Sequence, residues 1–169
     1  MRNISFSATT PQFRAGTKDV TRRMGWYTLK CGDVLMACEK CQGLGKGGQV
    51  VRMGPIEIMN VTYEPLGEII TRPVRITGGK PETTREGFPQ MSPVQFCNTF
   101  IEINPKDQQG KKTTLETMIT RIAFRKLPHC GDNANIFCTP GHVDCPAVRT
   151  DGKKGAKLCG EIMNFWGLN

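Results

Sequence analysis

Short runs of alternating apolar residues, each cut off by Gly or Pro, are what most limit the folds open to this chain. Ile4 and Phe6 alternate with polar residues over 3–8, the two-residue period of a strand. Similar short strand-like runs recur at 19–23, 34–39, 50–53, 56–63 and 116–127, with Gly54-Pro55 separating the fourth run from the fifth. Two helix starts are written into the chain. Thr9-Thr10-Pro11 opens a short helix that ends at Gly16, and Ser92-Pro93 supplies a cap with proline in the first turn. Behind the second start, Phe96, Phe100 and Ile103 recur at helical spacing and form an inward stripe. About six strands and two helices, with no long strand–helix repeat, predict a small mixed β-barrel. The fold class is then α+β, mostly β, with two or three short helices.

The charge divides the chain in two. Residues 1–127 hold 19 Lys/Arg against 11 Asp/Glu, whereas 128–169 hold 4 of each. A barrel domain over 1–127 and a separate extension over 128–169 is the expected organisation. A basic excess confined to the first part favours a polyanionic partner, RNA above all, over an indifferent basic surface. No apolar run approaches the roughly 20 residues that span a bilayer. The first residues lack the apolar core of a signal peptide. A cytoplasmic protein without a membrane partner is the expectation; oligomeric state is not written in the sequence.

In that compartment the eight cysteines are reduced thiols or metal ligands rather than bridges. Four of them fall in the extension, among Gly and Pro residues that suit tight ligand turns. Cys130, Cys138, His142 and Cys145 are therefore a candidate structural zinc set, with Cys159 as a substitute ligand. Against it, the extension has no Cys-x-x-Cys. The rival is an arm that wraps the barrel through Ile136, Phe137, Phe165 and Trp166. Cys38-x-x-Cys41 has half of a zinc-knuckle spacing, but Cys38 ends an apolar strand run and reads as a small core residue. The Gly-rich stretch 39–48 lacks the G-x-x-x-x-G-K-[ST] frame of a phosphate-binding loop. It reads as a hairpin loop that carries Lys40 and Lys46 toward a nucleic acid. Residues 71–84 read as an exposed loop with basic residues.

Residues 13–23 concentrate the chemistry. An amine (Lys18), a hydroxyl (Thr21) and two guanidinium groups (Arg22, Arg23) lie within six residues after Gly16. On a strand Arg22 and Arg23 point to opposite faces, one to a pocket and the other to solvent or a phosphate. A neutral Lys can help to ionise a Thr if both enter one pocket; solvated charges at the end of a helix are the plain alternative. Trp26 and Tyr27 follow, and either ring can wall a base or close the core edge.

Gly16-x-Lys18-x-x-Thr21-x-Arg23 resembles the G-x-K-x-x-[ET]-x-R signature of ASCH domains, which are similar to PUA domains. Residues 4–7, 32–35, and 85–88 with Phe96 resemble the family's first strand, second-strand entry, and later acidic segment and helix, so that the resemblance spans about 3–127. It implies a PUA-like pseudo-barrel with helices at the mouth of a cleft. Some small ASCH proteins are amidohydrolases that remove the acetyl group of N4-acetylcytidine with a Lys, a Thr and a Glu, and without a cofactor. The matching positions are Lys18 and Thr21; Glu86 is the counterpart brought by the acidic segment. Arg22, Arg23, Trp26, Lys40 and Lys46 are the candidate contacts to RNA or a modified nucleoside. A non-catalytic RNA-binding module and a ribonuclease are the other activities within reach.

Overall fold

A computed structural model describes residues 1–72 and 79–127. Five strands form one sheet in the order β1-β3-β4-β5-β2. They are β1 (Arg2–Ser5), β2 (Val20–Arg23), β3 (Val34–Cys38), β4 (Arg52–Pro65) and β5 (Met118–Lys126). β1 runs parallel to β3, and every other pair is antiparallel. The helices are short: α1 (Thr10–Arg14), α2 (Glu68–Thr71), α3 (Glu82–Arg85) and α4 (Pro93–Ile103), with a 3-10 turn before α1. This is the small, mostly β α+β architecture expected from the alternation. No helix of the described residues is long and apolar enough to cross a membrane.

Some expectations change in detail. Ile103, expected in the inward stripe of α4, is exposed instead because it closes the helix. The runs at 50–53 and 56–63 fall in one strand, β4, which passes through Gly54-Pro55 without a turn. Pro55 pairs with Met36 of β3, while the β5 ladder on the other side begins only at Ile56. Proline is tolerated there because β4 has a partner on one side alone. Register shifts at Ala37/Cys38 and Ile58/Asn60 bend the long strand. Within 71–84, α3 forms a single turn where a loop was expected, and this turn carries Glu86 at its end. The candidate zinc residues Cys130, Cys138, His142 and Cys145, and the 128–169 extension as a whole, lie outside the described residues.

Curling the sheet makes two apolar clusters. Ile4, Phe6, Phe13, Leu35, Ile56, Ile58, Ile122 and Phe124 fill the first, and the Phe6 and Phe13 rings stack at 4.9 Å. Leu66, Ile69, Phe96, Phe100 and Ile119 form the second, under α4. Each such side chain contributes roughly 1.5–3 kcal/mol when fully buried. Helix α4 opens on a complete capping box, Ser92 with Gln95, as its sequence implies. Cys38 is a buried core residue of β3.

The curl also brings the two edge strands together. β1 and β2 are the outermost strands of the sheet, yet Arg23 Nη2 donates to the Ser5 carbonyl and its guanidinium lies 5.7 Å from the Phe6 ring centre. The seam between these edges is held by a side chain, and there the candidate site lies.

Candidate active site

At the seam, a cavity of about 250 Å³ is bounded by residues of both edge strands and α4, and by Glu86 at the end of α3. Its walls include Phe6, Phe88, Phe96 and Phe100, and its polar groups include Lys18, Thr21, Arg23, Glu86, Thr99 and Asn104. This lies just under the roughly 300–1,000 Å³ of pockets for drug-sized ligands. Apolar walls with a few convergent polar groups are the usual make-up of a small-molecule site.

Local chain geometry explains how the three candidate catalytic side chains reach it. Gly16 takes φ +70° at the end of α1, a conformation open to glycine with little strain. The chain then turns back, with Thr17 and Lys18 N–H both directed to the Gln12 carbonyl. Asp19 fastens β2 to α3: its N–H donates to the Arg85 carbonyl at 3.1 Å, and its carboxylate accepts from Arg85 Nε at 2.9 Å and Nη2 at 3.1 Å. Glu86 caps α3 and is followed by Gly87 at φ +90°. A Cβ at Gly87 would stand 2.9 Å from Thr9 Cγ2. Only a residue without a side chain lets the end of α3 approach this closely.

Lys18 is 4% exposed. Its Nζ donates to the Val20 carbonyl at 2.7 Å and to the Glu86 carbonyl, and lies 3.5 Å from Glu86 Oε2. Burial lowers its pKa from the ordinary 10.5 to about 8; the Glu86 charge opposes the drop and Arg23 adds to it. Thr21 is buried in β2, and its hydroxyl has no hydrogen-bond partner among the described residues although it borders the cavity. Glu86 accepts from Arg22 Nη1 at 2.8 Å and from the Arg22 N–H at 3.3 Å. These acceptor roles suit an ionised carboxylate.

Strand register separates this cavity from a second cluster. Thr21 pairs with Ile122 and Arg23 with Thr120, whereas Arg22 pairs with Arg121 on the opposite face. The Arg22 side chain is fully buried and contacts Glu86 at 2.8 Å, Glu64 at 3.0 Å and Glu82 at 3.1 Å. Glu82 also accepts from Arg121 and Arg85, and Glu64 from Arg72. Desolvation opposes the Arg22 charge, but the Glu86, Glu64 and Glu82 carboxylates outweigh it and raise its pKa. The same desolvation would raise Glu82; the Arg121 hydrogen bonds and charge, and then Arg22, hold it at about 2 instead.

Arg22 also borders the cavity, but its fully buried guanidinium is taken up by Glu64, Glu82 and Glu86. Arg23 does reach the cavity. Trp26 does not; it packs against the first apolar cluster with the Arg2 guanidinium 5.2 Å from its ring centre. Lys40 and Lys46 are exposed on the 39–48 loop, away from the cavity walls. Residue spacing did not point to Asp19, Glu64, Glu82, Arg85 or Arg121. The available signal was Arg121 alternating with the apolar residues of the 116–127 run.

No protein-family model matches the chain, and no curated protein does. Solved structures with a similar outline include the hypothetical protein PH0355, with 12% identity, TM-score 0.46, and 75% of this chain and 96% of the other covered. A second is protein EF3133 of the DUF984 family from Enterococcus faecalis V583, with 11% identity, TM-score 0.46, and 75% and 76% covered. A third is an ASCH domain from Lactobacillus crispatus JV V101, with 11% identity, TM-score 0.44, and 74% and 78% covered.

Proposed function

We propose that this chain is an amidohydrolase that removes the acyl group from an N4-acylated cytidine, with the seam cavity as its active site. The observation that carries this is the Thr21 hydroxyl: it borders the cavity without a hydrogen-bond partner among the described residues, and the same cavity is lined by the buried Lys18, whose amine pKa is lowered to about 8. A free hydroxyl and a base of lowered pKa are the two parts of an activated nucleophile. The flat apolar walls suit a nucleobase, and N4-acetylcytidine is the substrate that the ASCH resemblance supplies.

Lys18 holds two carbonyl acceptors closely and the Glu86 carboxylate loosely, at 3.5 Å. As a neutral amine it keeps its two N–H bonds to the carbonyls and frees one lone pair. That lone pair takes the Thr21 proton as Oγ adds to the acyl carbon. Collapse of the adduct breaks the bond from the acyl carbon to N4, and the Lys18 ammonium returns the proton to the leaving amine, releasing cytidine. Lys18, neutral again, takes a proton from a water oriented by Glu86 as the water oxygen adds to the acyl carbon. Collapse breaks the bond from that carbon to Thr21 Oγ, and Lys18 returns the proton to Oγ. The acid leaves as carboxylate, with its remaining proton lost to solvent. Glu86 serves as orienting acceptor rather than proton donor, since Arg22 and Lys18 already occupy it with donors.

The test is incubation of the purified chain with N4-acetylcytidine, following cytidine and acetate by chromatography. Equimolar release of both is expected. Tight binding without release would leave a nucleoside-binding module, and neither would remove the cavity from nucleoside chemistry.

A further inference from the structure

Beyond the seam, a second cavity of about 290 Å³ is walled by Tyr27, Tyr63, Gln108, Lys111 and Lys112. Met24 borders both cavities, so the two are neighbours across one side chain. Tyr27 and Tyr63 meet edge to face at 5.3 Å, yet they remain 56% and 54% exposed. Apolar rings held together and left open to solvent are surfaces on which something flat can stack.

The backbone is built to present them. Trp26 is the one non-glycine residue with positive φ, +67°, among those described. A bulky residue rarely adopts that conformation. The turn sends Trp26 into the core edge and Tyr27 outward. Gly25 seats the neighbouring loop, since a Cβ there would meet Gln108 Nε2 at 2.2 Å. Tyr63 pairs with Thr120, which pairs with Arg23. The three residues therefore form one cross-strand row on the face that carries Thr21.

Charge completes the pattern. Lys111 and Lys112 are exposed and have no ion-pair partner among the described residues. Asp107, which also borders this cavity, is engaged by the backbone N–H groups of Gln109 and Lys111, both at 2.9 Å. Glu116 is the other acidic residue of the wall.

We propose that this second cavity seats the nucleotide next to the one in the seam: Tyr27 and Tyr63 stack its base, and Lys111 and Lys112 face the connecting phosphates. Resting on the function proposed above, this makes the preferred substrate an acylated cytidine within a single-stranded polynucleotide rather than the free nucleoside. Stacking on aromatic side chains and cations along the backbone are the general means of holding single strands.

The experiment compares free N4-acetylcytidine with a short single-stranded oligoribonucleotide that contains one N4-acetylcytidine. Tyr27→Ala, Tyr63→Ala and the Lys111→Ala/Lys112→Ala pair are each measured on both substrates. Each tyrosine change is expected to lower kcat/KM on the oligonucleotide by about tenfold and leave the nucleoside untouched. The lysine pair should reduce the salt slope of oligonucleotide binding by about 0.7 for each phosphate that is no longer neutralised. A parallel arm measures binding of unmodified ribo- and deoxyribo-oligonucleotides by anisotropy, so the subsite is tested even if no acyl group is released. Weakened binding in the tyrosine variants then supports the subsite while the chemistry fails. Equal losses on nucleoside and oligonucleotide, or oligonucleotide binding indifferent to both tyrosines, would overturn it.

Discussion

Thr21 and Arg23 stand on one face of β2 and Arg22 on the other, and the two faces have opposite fates. The Thr21 hydroxyl meets an apolar-walled cavity and no hydrogen-bond partner among the described residues, whereas Arg22 is bonded to Glu64, Glu82 and Glu86. Alternation along a strand thus divides three successive residues between the cavity face and a scaffold. Glu86 belongs to both, since it contacts Lys18 on the cavity side and Arg22 behind it. The buried ion pairs hold Glu64, Glu82 and Glu86 around Arg22 behind the cavity.

Changes on the cavity face should cost turnover and spare the fold. Lys18→Met is expected to lower the rate of cytidine release by roughly 10²–10⁴-fold, the scale for losing one acid–base group. In the unaltered chain the rate should climb with pH and level off above about 8, because Lys18 must be neutral to accept a proton. A pH–rate profile on N4-acetylcytidine checks both.

Changes on the scaffold face should do the reverse. Arg22→Met strands buried carboxylates, and a urea melt should show a loss of about 3–5 kcal/mol. Acid makes a smaller form of the same break. Glu82 sits at about 2 in the folded chain against an ordinary 4.5. Its stabilisation is complete above the ordinary value and disappears as pH falls through about 2. The difference is on the order of 3 kcal/mol. Glu82→Gln should flatten that part of the acid-unfolding curve.

The parts of the site that follow from local rules were legible in the residues. Lys18 and Thr21 were legible through the motif that Gly16-x-Lys18-x-x-Thr21-x-Arg23 resembles, and the two-residue period places Thr21 and Arg23 on one face. The α4 start at Ser92-Pro93 was likewise written in cap chemistry. Arg22 was not legible as a scaffold residue, because its partners Glu64, Glu82 and Glu86 are 42, 60 and 64 residues away. Nothing local marks a charge as buried when its counter-charges arrive through strand register. β4 was divided in two for a related reason: Gly54-Pro55 reads as a turn unless the missing ladder partner on one side is known.

The central claim is that Thr21 is the nucleophile on a face independent of the scaffold. Its most direct test is cytidine release by Thr21→Ala and Thr21→Ser beside the unaltered chain, with a thermal melt on each sample. All three should melt within a few degrees of one another, with release abolished in Thr21→Ala and retained at a measurable rate in Thr21→Ser. Turnover by Thr21→Ala at the unaltered rate would contradict the assignment.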